Sequence, residues 1–205
     1  KTSNLKKKRL YLISPAKINN DFYKDLNNIL RLNKVSFFQL RLKKNSFKEK
    51  IIIGKKIKKI CRLHKVKFLI NDDPRLAKKI NVDGCHLGQK DMNIKEARKI
   101  LINKIIGVTC HNSIKLVKEA IKSKADYIAI GAFYQSKTKK VKFKATISLL
   151  QKIKKLTNIP IVAIGGITDK NYKNLLLNKT NFLAISGYIF NNKKYKPIEA
   201  IEKLK

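Results

Sequence analysis

Asn71-Asp72-Asp73-Pro74 and, one helix later, Asp83-Gly84-Cys85-His86-Leu87-Gly88-Gln89-Lys90-Asp91-Met92 are two versions of one pattern. Each follows a short apolar run, Lys67-Phe68-Leu69-Ile70 in the first case and Val82 to Leu87 in the second. Each puts an acidic residue where a strand should end. Asp73 and Pro74 then open a helix, because Asp accepts from the free N–H groups of the first turn and Pro fits the first helical position. Strand, acid and helix, repeated, predict a parallel sheet with crossover helices.

The same alternation extends in both directions. Upstream, Arg9 to Ser14 reads as a strand ended by Pro15, and Phe22, Leu26, Ile29 and Leu30 recur at helical spacing. Val35 to Leu42 is the second strand. Ser46 caps a long helix with an apolar stripe of Ile52, Ile53, Ile57, Ile60 and Cys61. Lys67 to Asp72 and Gly84 to Gly88 are the third and fourth strands. Downstream, Asn93 starts a helix carrying Ile94, Ala97, Ile100 and Leu101. Lys104 to Cys110 is the fifth strand, and Asn112 or Ser113 caps the helix of Ile114, Val117, Ala120 and Ile121.

Tyr127 to Phe133 is the sixth strand, followed by a long polar loop, Gln135 to Lys144, and a helix with Ile147, Leu150, Ile153 and Leu156. Ile159 to Gly166 is the seventh strand, Phe182 to Phe190 the eighth, and Pro197 opens the last helix. Eight such units without a composition break predict a single (β/α)8 TIM barrel over residues 1–205, at the compact end of that fold's size range. A doubly wound open sheet is the alternative. The lack of a Gly-rich dinucleotide turn after the first strand counts against it.

Composition narrows the function classes. No apolar run approaches the ~18 residues of a membrane span, and Leu10 to Ile13 is too short for the apolar part of a signal peptide. Cys61, Cys85 and Cys110 form no CxxC pair, which reads as reduced thiols in the cytoplasm. His64, His86 and His111 are too scattered for a zinc site. The formal charge is +36, from 49 Lys and Arg against 13 Asp and Glu. Lysines dominate, spread along the chain and mostly on polar helix sides, so the charge reads as compositional drift. A nucleic-acid-binding protein, the rival reading, calls for one contiguous basic face and more Arg. The field still favours an anionic substrate.

In a barrel, chemistry belongs at the C-terminal ends of the strands. Alternation along the second strand points Gln39, Arg41 and Lys43 to one face, where they could grip an anion, or where a Lys-rich chain merely ends a strand in solvent. Asp72 and Asp91 lie beyond neighbouring strands and could share one hard cation such as Mg²⁺, completed by water and substrate phosphate. Asp91 could instead only favour the helix that follows it. His86 is either a core histidine or a substrate contact at the mouth. Gln89 offers an amide, Thr109 a hydroxyl to phosphate, and His111, which could transfer a proton, reads rather as a helix-entry residue. Ser136, Thr138 and Lys139 make a phosphate-binding set or a solvated loop. The glycines Gly165 and Gly166, with Ile185 and Ser186, fit the phosphate site that this fold builds after strands seven and eight.

These pieces together, Gln39-Leu40-Arg41-Leu42-Lys43, Asn71-Asp72, Asp83 to Met92, Gly107-Val108-Thr109, Thr138-Lys139, Ile164-Gly165-Gly166-Ile167 and Ile185-Ser186, resemble the thiamine phosphate synthase family over nearly the whole chain. The resemblance implies a transferase that couples hydroxymethylpyrimidine diphosphate to a thiazole phosphate. It implies Mg²⁺ on Asp72 and Asp91. Arg41, Lys43 and Lys139 would act in catalysis, and with Gln39, Asn71 and Thr109 they would contact the pyrimidine diphosphate. His86 and Gln89 are further substrate contacts. Ser136, Thr138, Gly166, Ile185 and Ser186 would hold the thiazole phosphate. The partners would be small phosphorylated molecules, with no specific nucleic acid and no membrane. Three positions depart from the family pattern: Leu42 stands where Glu is usual, Lys90 replaces an acid before Asp91, and Gln135 replaces Pro. A thiazole tautomerase is the nearest relative, and it does not need the two metal aspartates.

Overall fold

Asp73 does cap the helix that Pro74 opens: its Oδ1 accepts from the Leu76 N–H at 2.9 Å. Similar local signals start most of the other helices. Ser46 and Glu49 form a reciprocal capping box, and Asn19, Asn93, Ser113 and Thr146 each accept from a first-turn N–H. The computed structural model describes residues 8–135 and 142–204.

The first half of the chain runs β1 (Leu10–Ile13), α1 (Asn20–Arg31), β2 (Val35–Leu40), α2 (Phe47–Leu63), β3 (Lys67–Asn71), α3 (Pro74–Ile80), β4 (Gly84–Leu87) and α4 (Ile94–Ile100). The second runs β5 (Ile105–His111), α5 (Ile114–Lys122), β6 (Tyr127–Ile130), α6 (Ile147–Leu156), β7 (Ile161–Ile164), α7 (Tyr172–Leu177), β8 (Phe182–Ile185), α8 (Gly187–Phe190) and α9 (Pro197–Glu202). The strands pair in sequence order and β8 closes on β1. All pairs are parallel, so every C-terminal strand end opens on one mouth. This is the expected (β/α)8 barrel.

Two apolar layers hold it. Between strands and helices, residues such as Leu26, Ile29, Phe38, Ile57, Ile106 and Ile153 are fully buried. Inside the barrel, Tyr11, Ile13, Leu69, Tyr127, Ala129, Val162 and Ala184 form a separate cluster, with Phe37 and Phe182 against it. Gly54 lets α2 lie close to α3: a Cβ there would fall 2.6 Å from the Ile80 side chain. The α2 stripe is narrower than expected. Ile57 and Cys61 are buried, but Ile52 is 51% exposed. It lies five residues from Ile57, about 140° round the helix. Leu156, the last residue of α6, is exposed.

The closed end of the barrel is stitched by a recurring bond. Asp83, just before β4, accepts from the Phe68 N–H at 2.9 Å. Asp126, before β6, accepts from the Ile106 N–H at 2.7 Å, and Asn181, before β8, from the Ile161 N–H at 2.9 Å. A cation meets each: Lys67 at 3.1 Å, Arg98 at 2.7 Å and Lys154 at 3.0 Å. Two of the rare acids therefore serve pairing of successive strands rather than chemistry.

Several strands are shorter than the apolar runs suggest. β2 stops at Leu40, so Arg41 and Lys43 stand on the loop beyond it. The largest difference is at the end: Phe182 to Phe190 is not one strand. It divides into β8 and the one-turn α8, in which the Ile189 and Phe190 N–H groups return to the Ser186 carbonyl at 3.0 and 2.9 Å. A short apolar run does not by itself distinguish strand from helix.

Candidate active site at the barrel mouth

Asp72 follows β3 immediately and sits in the left-handed region, φ +66°. Its N–H donates to the His86 carbonyl at 2.8 Å, which ties the end of β3 to β4. Asp and Asn accept this conformation better than most side chains do. Asp91 closes the loop after β4, where its Oδ2 accepts from the Gly88 N–H at 2.7 Å. A Cβ at Gly88 would lie 2.8 Å from that oxygen, so the turn takes a glycine.

The two carboxyls come within hydrogen-bonding reach of each other. Burial is the main cause that pushes Asp72 up to about 6, and the Asp91 carboxyl adds to it. Lys43, with Nζ 4.0 Å from Asp72 Oδ2, and Arg41 pull the other way. Two acids crowded together inside a +36 chain form a pair that a proton or a cation must bridge. Both donors are hard oxygens, the type that binds Mg²⁺ through one or two carboxylates with substrate phosphate and water completing the shell. Among the described residues no group of three or more His, Cys, Asp or Glu converges. The residues present thus fit a hard cation brought together with a phosphorylated substrate.

Arg41 and Gln39 are placed through Ser14, which the sequence reading did not single out. The buried Ser14 donates its N–H to the Gln39 carbonyl, and its Oγ accepts from the Arg41 N–H, both at 2.9 Å. Ser186 Oγ donates to the Ser14 carbonyl at 3.3 Å, so the mouth is also tied across the β8–β1 seam. Ile185 is 2% exposed, so only its backbone can face a ligand. Leu42 is buried at 5% exposure in the layer between strands and helices, which explains an apolar side chain at that position. Asn71 ends β3, half-buried, in register with His86.

His86 points into the barrel, not into solvent. Nδ1 lies 2.8 Å from the Tyr127 hydroxyl and Nε2 2.8 Å from Thr109 Oγ1. Burial lowers it to about 4, so the ring is neutral at neutral pH. Gln39 is likewise buried, and its Nε2 donates to the Tyr11 hydroxyl at 2.7 Å. Gln89 reaches from the β4 loop to the Thr109 carbonyl. His111 ends β5 and packs its ring on Phe143, with centroids 4.3 Å apart.

On the other side of the mouth, Gly165 and Gly166 both have positive φ, +106° and +60°. At Gly166 a Cβ would lie 2.2 Å from the Gln135 carbonyl oxygen. The Phe133 and Tyr134 N–H groups donate to the Ile164 and Gly165 carbonyls at 3.1 Å, joining the segment after β6 to the end of β7. Asn171 supports the glycines, donating from Nδ2 to the Gly166 carbonyl at 3.0 Å. The N-terminus of α8 faces the same side, the short extra helix that phosphate sites of this fold often use. Ser136, Thr138 and Lys139 lie outside the described residues.

Sequence reasoning missed Tyr11, Ser14 and Tyr127. Alternation along β1 already puts Tyr11 on the face opposite Leu10 and Leu12, the one available signal.

Comparison with known proteins agrees with the barrel fold and gives its family. The profile of the family described as thiamine monophosphate synthase matches residues 10–189. The thiamine-phosphate synthase of Pelagibacter ubique (strain HTCC1062) is 68% identical over 206 residues, covering 100% of both chains. That of Erythrobacter litoralis (strain HTCC2594) is 39% identical, over 94% of this chain and 92% of its own. Among solved structures, the thiamine phosphate pyrophosphorylase from Pyrococcus furiosus superposes with a TM-score of 0.85 at 28% identity, over 97% of this chain and 94% of its own. The chain belongs to the thiamine monophosphate synthase family.

Proposed function

We propose that the mouth joins a hydroxymethylpyrimidine diphosphate to a thiazole phosphate, yielding thiamine phosphate and diphosphate, with Mg²⁺ held by Asp72 and Asp91. The observation that carries the metal assignment is the carboxyl pair, crowded together with Lys43 and Arg41 beside it. Mg²⁺, when bound, would neutralise the diphosphate and make it a better leaving group.

The chain's own residues do the rest. Arg41 and Lys43 stand over the same spot and offer donors and positive charge to the departing oxygens. Asn71 and Thr109 offer neutral polar contacts from β3 and β5, and Gln89 offers an amide, while the Gln39 amide is engaged inside the barrel. The backbone around Gly166, Ile185 and Ser186 would receive a second phosphate, that of the thiazole, and the hydroxyls of Ser136 and Thr138 would add to it. Lys139 would assist the diphosphate.

The reaction breaks the bond between the pyrimidine methylene carbon and diphosphate oxygen and forms one to the thiazole nitrogen. It calls for no protein nucleophile. The thiols agree with this reading: Cys61, Cys85 and Cys110 are buried and pushed above the usual thiol range, Cys110 to about 12. Such thiols are inert rather than activated. No helix among the described residues is long and apolar enough to cross a membrane, and three free cysteines fit a reducing, cytoplasmic setting. Incubation with both substrates and Mg²⁺, followed for thiamine phosphate, tests the reading. Absence of product with or without metal would overturn it.

A further inference from the structure

A chain of hydrogen bonds crosses the barrel interior below the mouth. Gln39 Nε2 donates to the Tyr11 hydroxyl at 2.7 Å, and the Tyr11 and Tyr127 hydroxyls are 2.8 Å apart. Tyr127 meets His86 Nδ1 at 2.8 Å, and His86 Nε2 meets Thr109 Oγ1 at 2.8 Å. The chain links β2, β1, β6, β4 and β5, residues up to 116 apart in sequence.

The interior is built for it. Tyr11, Gln39, Tyr127 and His86 are 1%, 2%, 4% and 8% exposed. The Tyr127 ring occupies space that only a glycine at position 107 leaves free, since a Cβ there would fall 1.9 Å from Tyr127 Cζ. His86 stacks on the same ring, with centroids 5.6 Å apart and planes 20° apart. Burial keeps both phenols protonated and the imidazole neutral. Each interior member therefore has one hydrogen to give along the chain, and the whole chain has a direction.

Only two directions fill every bond and also give each buried phenol hydrogen an acceptor. In one, Gln39 donates to Tyr11, Tyr11 to Tyr127 and Tyr127 to His86 Nδ1. His86 then carries its hydrogen on Nε2 and donates to Thr109, whose own O–H stays free for the mouth. In the other, every bond is reversed: Gln39 accepts through Oε1, His86 carries its hydrogen on Nδ1, and Thr109 gives its hydrogen to His86. Thr109 then offers only lone pairs to an anion. The Gln39 amide, with Nε2 toward Tyr11, sets the first direction.

We propose that Gln39, Tyr11, Tyr127 and His86 act as positioning residues that fix Thr109 as a hydrogen-bond donor toward the diphosphate. This rests on the reading above that Thr109 faces that group. The amide at the end of β2 thereby decides the polarity of a hydroxyl on β5 without touching it. An uncharged donor to phosphate changes affinity by roughly tenfold to a hundredfold.

The test combines ¹⁵N-histidine NMR of the whole protein with binding of inorganic pyrophosphate in Mg²⁺ at pH 8, so it does not depend on turnover. Wild type is expected to show His86 with its hydrogen on Nε2. Gln39→Glu, which replaces the donating amide by an ionised acceptor, is expected to move it to Nδ1. Thr109→Val should weaken pyrophosphate roughly tenfold in wild type and leave affinity unchanged in the Gln39→Glu background, because there the hydroxyl hydrogen is already engaged. Thr109→Ser should retain wild-type affinity. A hydrogen on Nδ1 in wild type overturns the proposal on its own, even where a variant does not fold. So does an additive loss in the double variant. A protein that shows the expected tautomer and coupling but forms no thiamine phosphate would refute the proposed reaction and leave the relay standing.

Discussion

The carboxyls of Asp72 and Asp91, carried by the loops after two neighbouring strands, lie close enough to share a hydrogen bond, and that closeness helps push Asp72 up to about 6. The pair is held from behind. Asp72 is pinned by its own N–H to the His86 carbonyl, and Asp91 by the Gly88 N–H. The Asp91 carboxyl cannot turn away without losing the Gly88 N–H, and the backbone that carries Asp72 is fixed beside it.

Metal uptake should therefore compete with a proton. Asp72 titrates near 6, so apparent Mg²⁺ affinity should rise as pH increases through that value and level off above it, with a proton released on binding at lower pH. Calorimetric titration in two buffers of different ionisation enthalpy measures the released proton. Asp91→Asn should weaken Mg²⁺ binding at every pH.

The metal-free protein should show two opposing acid effects on stability. His86, held at about 4, stays neutral in the fold while the unfolded chain protonates near its ordinary 6.5. Stability from this source is full above 6.5 and is lost as pH falls toward 4, up to about 3 kcal/mol. Asp72 runs the other way: the fold keeps a proton that the unfolded chain releases, so stability falls as pH rises from 3.8 to about 6. Urea unfolding without divalent metal should show Asp72→Asn declining more steeply toward acid than wild type, and His86→Gln less steeply.

The closed end of the barrel should matter for stability and not for chemistry. Asp126 accepts from the Ile106 N–H and meets Arg98 at 2.7 Å. Asp126→Ala leaves a strand N–H without its partner, which costs about 1–3 kcal/mol. Denaturant unfolding should report that loss, with kcat/KM unchanged at temperatures where the variant is folded.

Gly107→Ala should be among the most damaging single-atom additions in the chain. The new methyl would overlap the Tyr127 ring, 1.9 Å from Cζ, and the ring is fixed by bonds to Tyr11 and His86. Overpacking of this kind costs about 1–3 kcal/mol or more. Thermal unfolding should show a large fall in Tm. An unchanged Tm would mean that the interior yields more easily than its packing indicates.

Much of the fold was legible because its signals are local. Asp73-Pro74 and Ser46 with Glu49 announce helix starts within four residues, and the repeated strand–helix alternation is enough to predict a closed barrel. The Asp72 and Asp91 pairing was legible for the same reason: successive parallel strands are neighbours, so acids at corresponding ends must meet. The division of Phe182–Phe190 was not legible, since an apolar run suits strand and buried helix alike. Nor was the interior chain of Tyr11, Tyr127 and His86. Its members are far apart in sequence, and only the closure of β8 on β1 and the depth of the lumen make them partners. Ser14 escaped notice because its two bonds depend on the register of β1 against β2.

The central claim is that Asp72 and Asp91 form the metal site of a thiamine phosphate-forming enzyme. The most direct test is product formation by purified Asp72→Asn, with both substrates and saturating Mg²⁺, beside wild type. The predicted result is abundant thiamine phosphate from wild type and a loss of turnover of at least about a thousandfold in the variant, with the fold intact, as expected when charge stabilisation of a leaving group is removed. Near-normal turnover by Asp72→Asn would contradict it.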